Sequence, residues 1–208
     1  MRDRLLFIDT ETGGLDPSKY SLLSLGMVVW ENMKIIDTAE LFINDGKLAF
    51  TTESLSINNI DIKKHVKIAL SSKEAIGKIN TFLKKNFQEN KKITLAGHNI
   101  NFDVNFLRFF LTQNDENFNK HFSHRFIDTS SILYYLYLAG YIKERTISSS
   151  AAFDYFKINV EGRHTALGDA IATAQLFSLL LALVKKKFKI SDNIFDNQLG
   201  LFDSELNE

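Results

Sequence analysis

The segment Phe7 to Gly14, which reads FIDTETGG, constrains the fold most, because an apolar run ends there in two carboxylates and two glycines. Leu5 to Ile8 form the apolar run and predict a buried strand. Side chains alternate along a strand, so Asp9 and Glu11 project to the same side. Two carboxylates this close repel each other unless a cation lies between them, and such oxygens bind hard divalent ions. The segment therefore suggests a metal site, although the same residues also occur where a strand simply ends in a turn.

The composition narrows the classes of protein that the chain can represent. With 208 residues and 45% hydrophobic content, we expect one domain and a short appendage. The 25 Lys and Arg balance the 25 Asp and Glu, so any nucleic-acid binding has to come from local patches or bound metal. Without cysteine and without an apolar leader at the start, a cytoplasmic protein is expected. Gln175 and Ser178 interrupt the longest apolar helix, and we expect no membrane span.

Strands come first along the chain, and helices then alternate with strands. Two β-rich runs, 22–30 and 33–43, predict a hairpin, and 44–71 reads as irregular. The later expected elements are a helix from Ser71, a strand at 93–96, a helix at 102–111, a strand at 125–127, helices at 130–138 and 148–156, and an amphipathic helix from Thr165 to about Lys187. This order predicts an α/β fold with a mixed sheet. Residues 1–190 form the expected domain, and 191–208 form a flexible tail because periodicity is lost there.

Two further stretches place acidic residues at helix starts. In GHNINFDVNFL, Gly97 to Leu107, Asp103 falls in the first turn of a helix that follows a central strand, where sites of parallel sheets lie. In HTALGDA, His164 lies in the loop before the last helix and Asp169 lies early within that helix, so both can reach one point. Each residue alone also fits a structural role, as a helix-dipole partner or a surface histidine. Three such stretches together predict one catalytic site.

The three motifs resemble those of the DEDD exonucleases, in the subtype with a histidine in the third motif that includes the proofreading subunit of bacterial replicative DNA polymerase. They are Asp-x-Glu-Thr-Gly at 9–13, His-Asn-x-x-Phe-Asp at 98–103 and His-x-Ala-x-x-Asp at 164–169. The resemblance covers Arg4 to about Lys187. It implies a ribonuclease H-like, five-stranded mixed sheet flanked by helices. It also implies a 3′→5′ exonuclease that releases nucleoside 5′-monophosphates.

The resemblance also assigns roles to residues. It implies that two Mg²⁺ or Mn²⁺ ions are held by Asp9, Glu11, Asp103 and Asp169. It makes His164 the general base. The terminal nucleotide is expected to contact Thr12, Gly13, Gly14, Leu15, Asn99 and Phe102. Ordinary packing is an equally good explanation for Leu15 and Phe102.

Three functions follow from these residues. The leading hypothesis is an exonuclease acting on DNA 3′ ends in proofreading or repair, in contact with a DNA polymerase subunit. The alternative within the enzyme class trims RNA 3′ ends. The alternative from another class is a catalytically silent module that binds nucleic acid or a polymerase, and the filled catalytic positions argue against it.

The tail contains a short apolar segment, Gln198-Leu199-Gly200-Leu201-Phe202, between acidic and Asn-rich residues. It resembles the peptide by which bacterial replication and repair proteins dock on the DNA sliding clamp. A flexible tether with such a peptide would raise the local concentration of the enzyme at the clamp. The alternative is that Leu199, Leu201 and Phe202 fold back onto the domain as a strap.

Overall fold

The computed structural model describes residues 4–146, 148–159 and 162–205, with side chains described as far as Lys186. The strands are β1 Arg4–Thr12, β2 Leu22–Glu31, β3 Lys34–Asn44, β4 Leu70–Ser71, β5 Thr94–Gly97 and β6 Ile127–Asp128. The helices are α1 Thr52–Ile57, α2 Ile62–Ile68, α3 Ser72–Asn86, α4 Asn101–Gln113, α5 Phe118–His121, α6 Thr129–Leu138, α7 Ser149–Tyr155 and α8 Ala166–Glu205.

The strands form one mixed sheet in the order β4-β3-β2-β1-β5-β6. β1 pairs antiparallel with β2 and parallel with β5, so it lies near the middle of the sheet. The expected hairpin is confirmed, with Asn32 and Met33 at positive φ in its turn. The sheet has six strands where five were expected, because the two residues of β4 pair with the end of β3. The predicted α/β, ribonuclease H-like architecture is otherwise confirmed.

Apolar side chains cover both faces of the sheet. On one face, α3 and α4 bury Ile79 and Leu107 against Leu6 and Ile8. On the other, α8 places Phe177 against Phe7 and Trp30 of the sheet, with ring centroids 5.5 and 5.2 Å apart. Alternation along β1 sends neighbouring residues to opposite faces, which lets one strand hold both layers.

The segment 44–71 contains regular structure that we did not expect. Two short helices, α1 and α2, lie there, together with β4. Thr51 begins α1 by accepting a hydrogen bond from the backbone N–H of Ser54, and Asp61 begins α2 in the same way. Helices of six and seven residues are too short for an apolar periodicity to stand out, which explains why the sequence reads as irregular.

The last helix differs from expectation in two respects. Its backbone continues to Glu205, beyond the end expected near Lys187. Residues 166–186 are also long and apolar enough to cross a membrane by length and composition, so the interruption expected from Gln175 and Ser178 was wrong. The helix packs on the sheet, and Trp30 Nε1 donates to Ser178 Oγ at 2.8 Å. A core helix of a folded domain has the same length and composition.

The predicted tail, 191–208, falls where no side chains are described, and its last three residues lie outside the described chain. The division into a domain at 1–190 and a flexible tail therefore stays a prediction. The same holds for the segment Gln198 to Phe202.

Candidate active site and metal centre

Three of the four predicted carboxylates come together where β1 ends. Asp9, Glu11 and Asp169 each offer a ligand oxygen, and these oxygens all lie within 4.8 Å of one another. Asp9 and Glu11 share a side of β1, as their spacing predicts, and Asp169 comes from the first turn of α8. Three carboxylate oxygens at this separation form a donor set that suits a hard divalent cation such as Mg²⁺ or Mn²⁺.

The fourth carboxylate is close to this group but is held separately. Asp103 is buried in the first turn of α4, and Thr10 Oγ1 donates a hydrogen bond to its Oδ1 at 2.7 Å. Thr10 points to the opposite side of β1 from Asp9 and Glu11, since it lies between them in the strand. No role was predicted for Thr10 from the sequence, although its position between two carboxylates was a usable signal.

Burial and mutual repulsion make these carboxylates hard to ionise in the absence of a cation. Burial, followed by the charges of Asp169 and Asp103, raises the pKa of Glu11 to about 8. Burial raises the pKa of Asp103 to about 7, although the hydrogen bond from Thr10 lowers it. The pKa of Asp9 is raised well above its usual range by burial and by the other carboxylates. A divalent cation would reverse these shifts, which is the electrostatic property expected of a metal centre.

A glycine in β2 brings α8 to the site. Gly26 pairs with Asp9 across the sheet. A Cβ atom at Gly26 would lie 2.2 Å from the backbone oxygen of Ala166, so only glycine lets the first turn of α8 rest on β2 at this point. The backbone N–H of Leu167 donates to Glu40 Oε1 at 3.3 Å, which adds an acidic partner at the start of the helix. Asp169 is thereby placed opposite Asp9.

His164 does not join the carboxylate group. It precedes α8 with an exposed side chain and a φ of 63°, a left-handed conformation that is unusual for a residue other than glycine. Its neighbour Arg163, for which no role was predicted, contacts the group instead: Nη1 donates to Asp169 Oδ1 at 2.7 Å. The role of His164 as general base stays a prediction.

A cleft of about 390 Å³ lies beside the carboxylates, and Glu11 belongs to both. Four of the six residues predicted to contact a nucleotide line it: Thr12, Gly14, Leu15 and Phe102. The side chain of Leu15 is 85% exposed, so ordinary packing does not explain this residue. Phe102 is partly buried and its ring centroid lies 5.0 Å from that of Phe106, so packing accounts for much of its surface.

Gly13 and Asn99, the other two, do not line the cleft and have clear structural roles. A Cβ atom at Gly13 would lie 2.0 Å from the carbonyl oxygen of Ala49, and the Gly13 N–H donates to Ser21 O at 2.8 Å. Asn99 has a φ of 60°, and its N–H donates to Asp128 Oδ1 at 2.9 Å. Asp128 also begins α6 by accepting a hydrogen bond from the N–H of Ser130, which is a structural role.

The unexpected helix α1 forms one wall of the cleft. Ser54 Oγ donates to the carbonyl oxygen of Gly13 at 2.6 Å, and Asn58 Nδ2 donates to that of Thr12 at 3.0 Å. Ile57, 60% exposed, lines the cleft from the same helix. These bonds fasten α1 to the loop after β1, and a Ser or Asn in a polar segment carries no sequence signal for such a contact.

The mixed sheet, the helices on its two faces and the carboxylates at the end of β1 form a ribonuclease H-like fold with a candidate divalent-metal centre. The profile of the exonuclease family RNase T matches residues 6–177, and the chain belongs to that family.

Similar proteins include two kinds of curated relative. The chain is 27% identical to the PolC-type DNA polymerase III of Caldanaerobacter subterraneus over 87% of its own length, but it spans only 12% of that protein. It is 31% identical to the ribonuclease T of Buchnera aphidicola, with 84% of this chain and 80% of the relative covered. The nuclease domain of 3′hExo, a DEDDh family member solved with rAMP, has the same fold, with a TM-score of 0.70 and 17% identity over 86% of this chain and 92% of that one.

Proposed function

We propose that this protein is a metal-dependent 3′→5′ exonuclease that removes nucleoside 5′-monophosphates from DNA ends, in proofreading or repair linked to replication. The observation that carries the proposal is that Glu11 belongs both to the carboxylate group and to the adjacent cleft. At about 390 Å³ the cleft falls within the range of small-molecule pockets, roughly 300–1,000 Å³. A terminal nucleotide bound there would present its phosphate to the carboxylates.

The residues divide the chemistry between them. Asp9, Glu11, Asp103 and Asp169 would hold two divalent ions, which supply charge stabilisation and a more acidic water when bound. His164 would accept the proton of the attacking water, since histidine titrates near neutral pH. Leu15 and Ile57, both exposed in the cleft, would contact the terminal base or sugar.

The preference for DNA over RNA rests on the PolC-type relatives, whereas the ribonuclease T relatives favour RNA 3′-end trimming as the second candidate. The test is digestion of 5′-labelled single-stranded DNA, duplex DNA with a mispaired 3′ end, and single-stranded RNA, each with Mg²⁺ or Mn²⁺. We expect both DNA substrates to shorten from the 3′ end and to release 5′-monophosphates. Faster loss of RNA would favour the second candidate, and no digestion of any substrate would leave a silent binding module.

His164→Ala is expected to lower the rate of hydrolysis by roughly 10²–10⁴, because a positioned general base contributes about that much. Affinity for Mn²⁺ should change little, since His164 lies outside the carboxylate group. Single-turnover rates and calorimetric titration with Mn²⁺ measure the two effects. His124→Ala, which replaces another exposed histidine, serves as the matched control. A loss of metal binding as large as that caused by Asp9→Ala would make His164 a ligand instead of a base.

We propose a bacterial sliding clamp as partner through the tail, with Gln198, Leu199, Leu201 and Phe202 as the docking residues. A peptide spanning 196–203 is expected to bind the purified clamp in a fluorescence polarisation titration. Full-length protein with Leu201 and Phe202 changed to Ala should lose clamp binding and keep its melting temperature. Unchanged clamp binding together with a lower melting temperature would support the strap instead.

A further inference from the structure

Arg163 is tied to the carboxylate group by a short ion pair. Its Nη1 atom lies 2.7 Å from Asp169 Oδ1, and both side chains are mostly buried, at 27% and 17% exposure. Within the described part of the chain, this is the one ion pair that involves Asp9, Glu11, Asp103 or Asp169. The guanidinium therefore offsets part of the repulsion between the carboxylates.

The same guanidinium has two other partners, both on α7. Its Nη2 atom donates to Ser150 Oγ at 2.6 Å, and its central carbon lies 5.1 Å from the ring centroid of Phe153. Arginine presents several donors in a rigid fork and also stacks on aromatic rings, so these contacts can persist when one partner is lost. A guanidinium that leaves Asp169 already has a place on α7.

A divalent ion held by Asp9, Glu11 and Asp169 would lie near this guanidinium, because Asp169 is a partner of both. Two cations that share one carboxylate repel each other strongly at such separations inside a protein. We propose that Arg163 is a built-in counter-cation, which neutralises Asp169 in the metal-free protein and which the incoming divalent ion must displace. The inference rests on the proposed metal-dependent function. Arg163 would act through Asp169 as a positioning residue and would set the metal concentration at which the site is half occupied.

If Arg163 only links α7 to the start of α8, the opposite change in metal affinity is expected. If Arg163 only held Asp169 in place, its loss would loosen a ligand and weaken binding. If Arg163 competes with the ion, its loss removes the competitor and strengthens binding. The sign of the change separates the two roles.

The experiment is calorimetric titration of the full-length protein with MnCl₂. Arg163→Gln is expected to lower the dissociation constant by about tenfold, because an adjacent unit charge is removed. Arg163→Lys should restore most of the wild-type value, since it keeps the charge. Arg145→Gln is the matched control, because Arg145 also lies over an aromatic ring, that of Tyr134 at 5.3 Å, but it contacts none of these carboxylates. It should bind Mn²⁺ like the wild type.

Unchanged or weaker binding by Arg163→Gln would overturn the inference, as would equal values for the Gln and Lys variants or no Mn²⁺ binding in any protein. If Arg163→Gln is unfolded without metal, its recovery of helical circular dichroism with Mn²⁺ supports the inference, and no recovery overturns it. Digestion assays on the same wild-type sample test the proposed function separately. Wild-type protein that binds Mn²⁺ but digests no nucleic acid would remove the nuclease proposal, while the comparison of affinities still decides the role of Arg163.

Discussion

Asp9→Ala is expected to lower nuclease activity by at least about 10³-fold, because metal-ion catalysis supplies several kcal/mol and each 1.4 kcal/mol is a factor of ten. The metal-free variant should also melt at a higher temperature than the wild type. The pKa of Asp9 is raised in the folded protein. At neutral pH this carboxyl group therefore ionises more easily in the unfolded chain than in the folded protein, which lowers the free energy of unfolding. Single-turnover digestion and thermal melting without metal measure the two effects.

The control for Asp9→Ala is Asp154→Ala, which removes an exposed carboxylate on α7. It should change neither the rate nor the melting temperature appreciably. If the Asp9 variant retains activity, the proposed metal centre is contradicted. A lower melting temperature of the metal-free variant would mean instead that the contacts of Asp9 stabilise the fold more than carboxylate repulsion destabilises it.

Gly26→Ala is expected to lower both the stability and the activity of the protein. The new methyl group would meet the backbone of Ala166 at 2.2 and 2.3 Å, and backbone atoms cannot rotate away as a side chain can. The first turn of α8 must therefore shift, which should cost about 1–3 kcal/mol or more of stability. Asp169 would move with it, and a misplacement of about 1 Å can cost 10²-fold in rate. Urea unfolding and single-turnover digestion test both effects.

Gly77→Ala provides the matched control for this prediction. Gly77 is exposed within α3, and a Cβ atom there would have nothing within 4 Å. The substitution should stabilise the protein by roughly 0.5–1 kcal/mol, because Ala is the better helix former. If Gly26→Ala is as stable and as active as the wild type, α8 does not depend on close contact with β2.

The sequence predicted the parts of the site that depend on local periodicity. The i, i+2 spacing of Asp9 and Glu11 in a strand was enough to place them together. Asp103 was correctly expected in the first turn of a helix, and Asp169 was correctly expected early in another. The order of strands and helices was enough for the fold class. These features depend on neighbouring residues along the chain, where alternation and helical turns are reliable.

Long-range packing explains what the sequence did not predict. Within the sequence, Gly26 is only a residue that disfavours a strand. Its role, which is to let the backbone of Ala166 approach β2, is visible only in the packed structure. Arg163 contacts Asp169 and also donates to Ser150 on α7, a partner that is distant in the sequence. α1 and β4 lack a pattern of their own because their partners lie in other segments.

The order of elements along the chain makes one helix, α8, complete both the candidate site and the core. This helix brings Asp169 to the site. Its Phe177 also packs on Phe7 and Trp30 and so covers one face of the sheet. A chain that ended at Gly162 would carry Asp9, Glu11 and Asp103 but would lack Asp169 and the helix that covers one face of the sheet. Truncation before α8 is therefore expected to remove the candidate metal site and to destabilise the fold together.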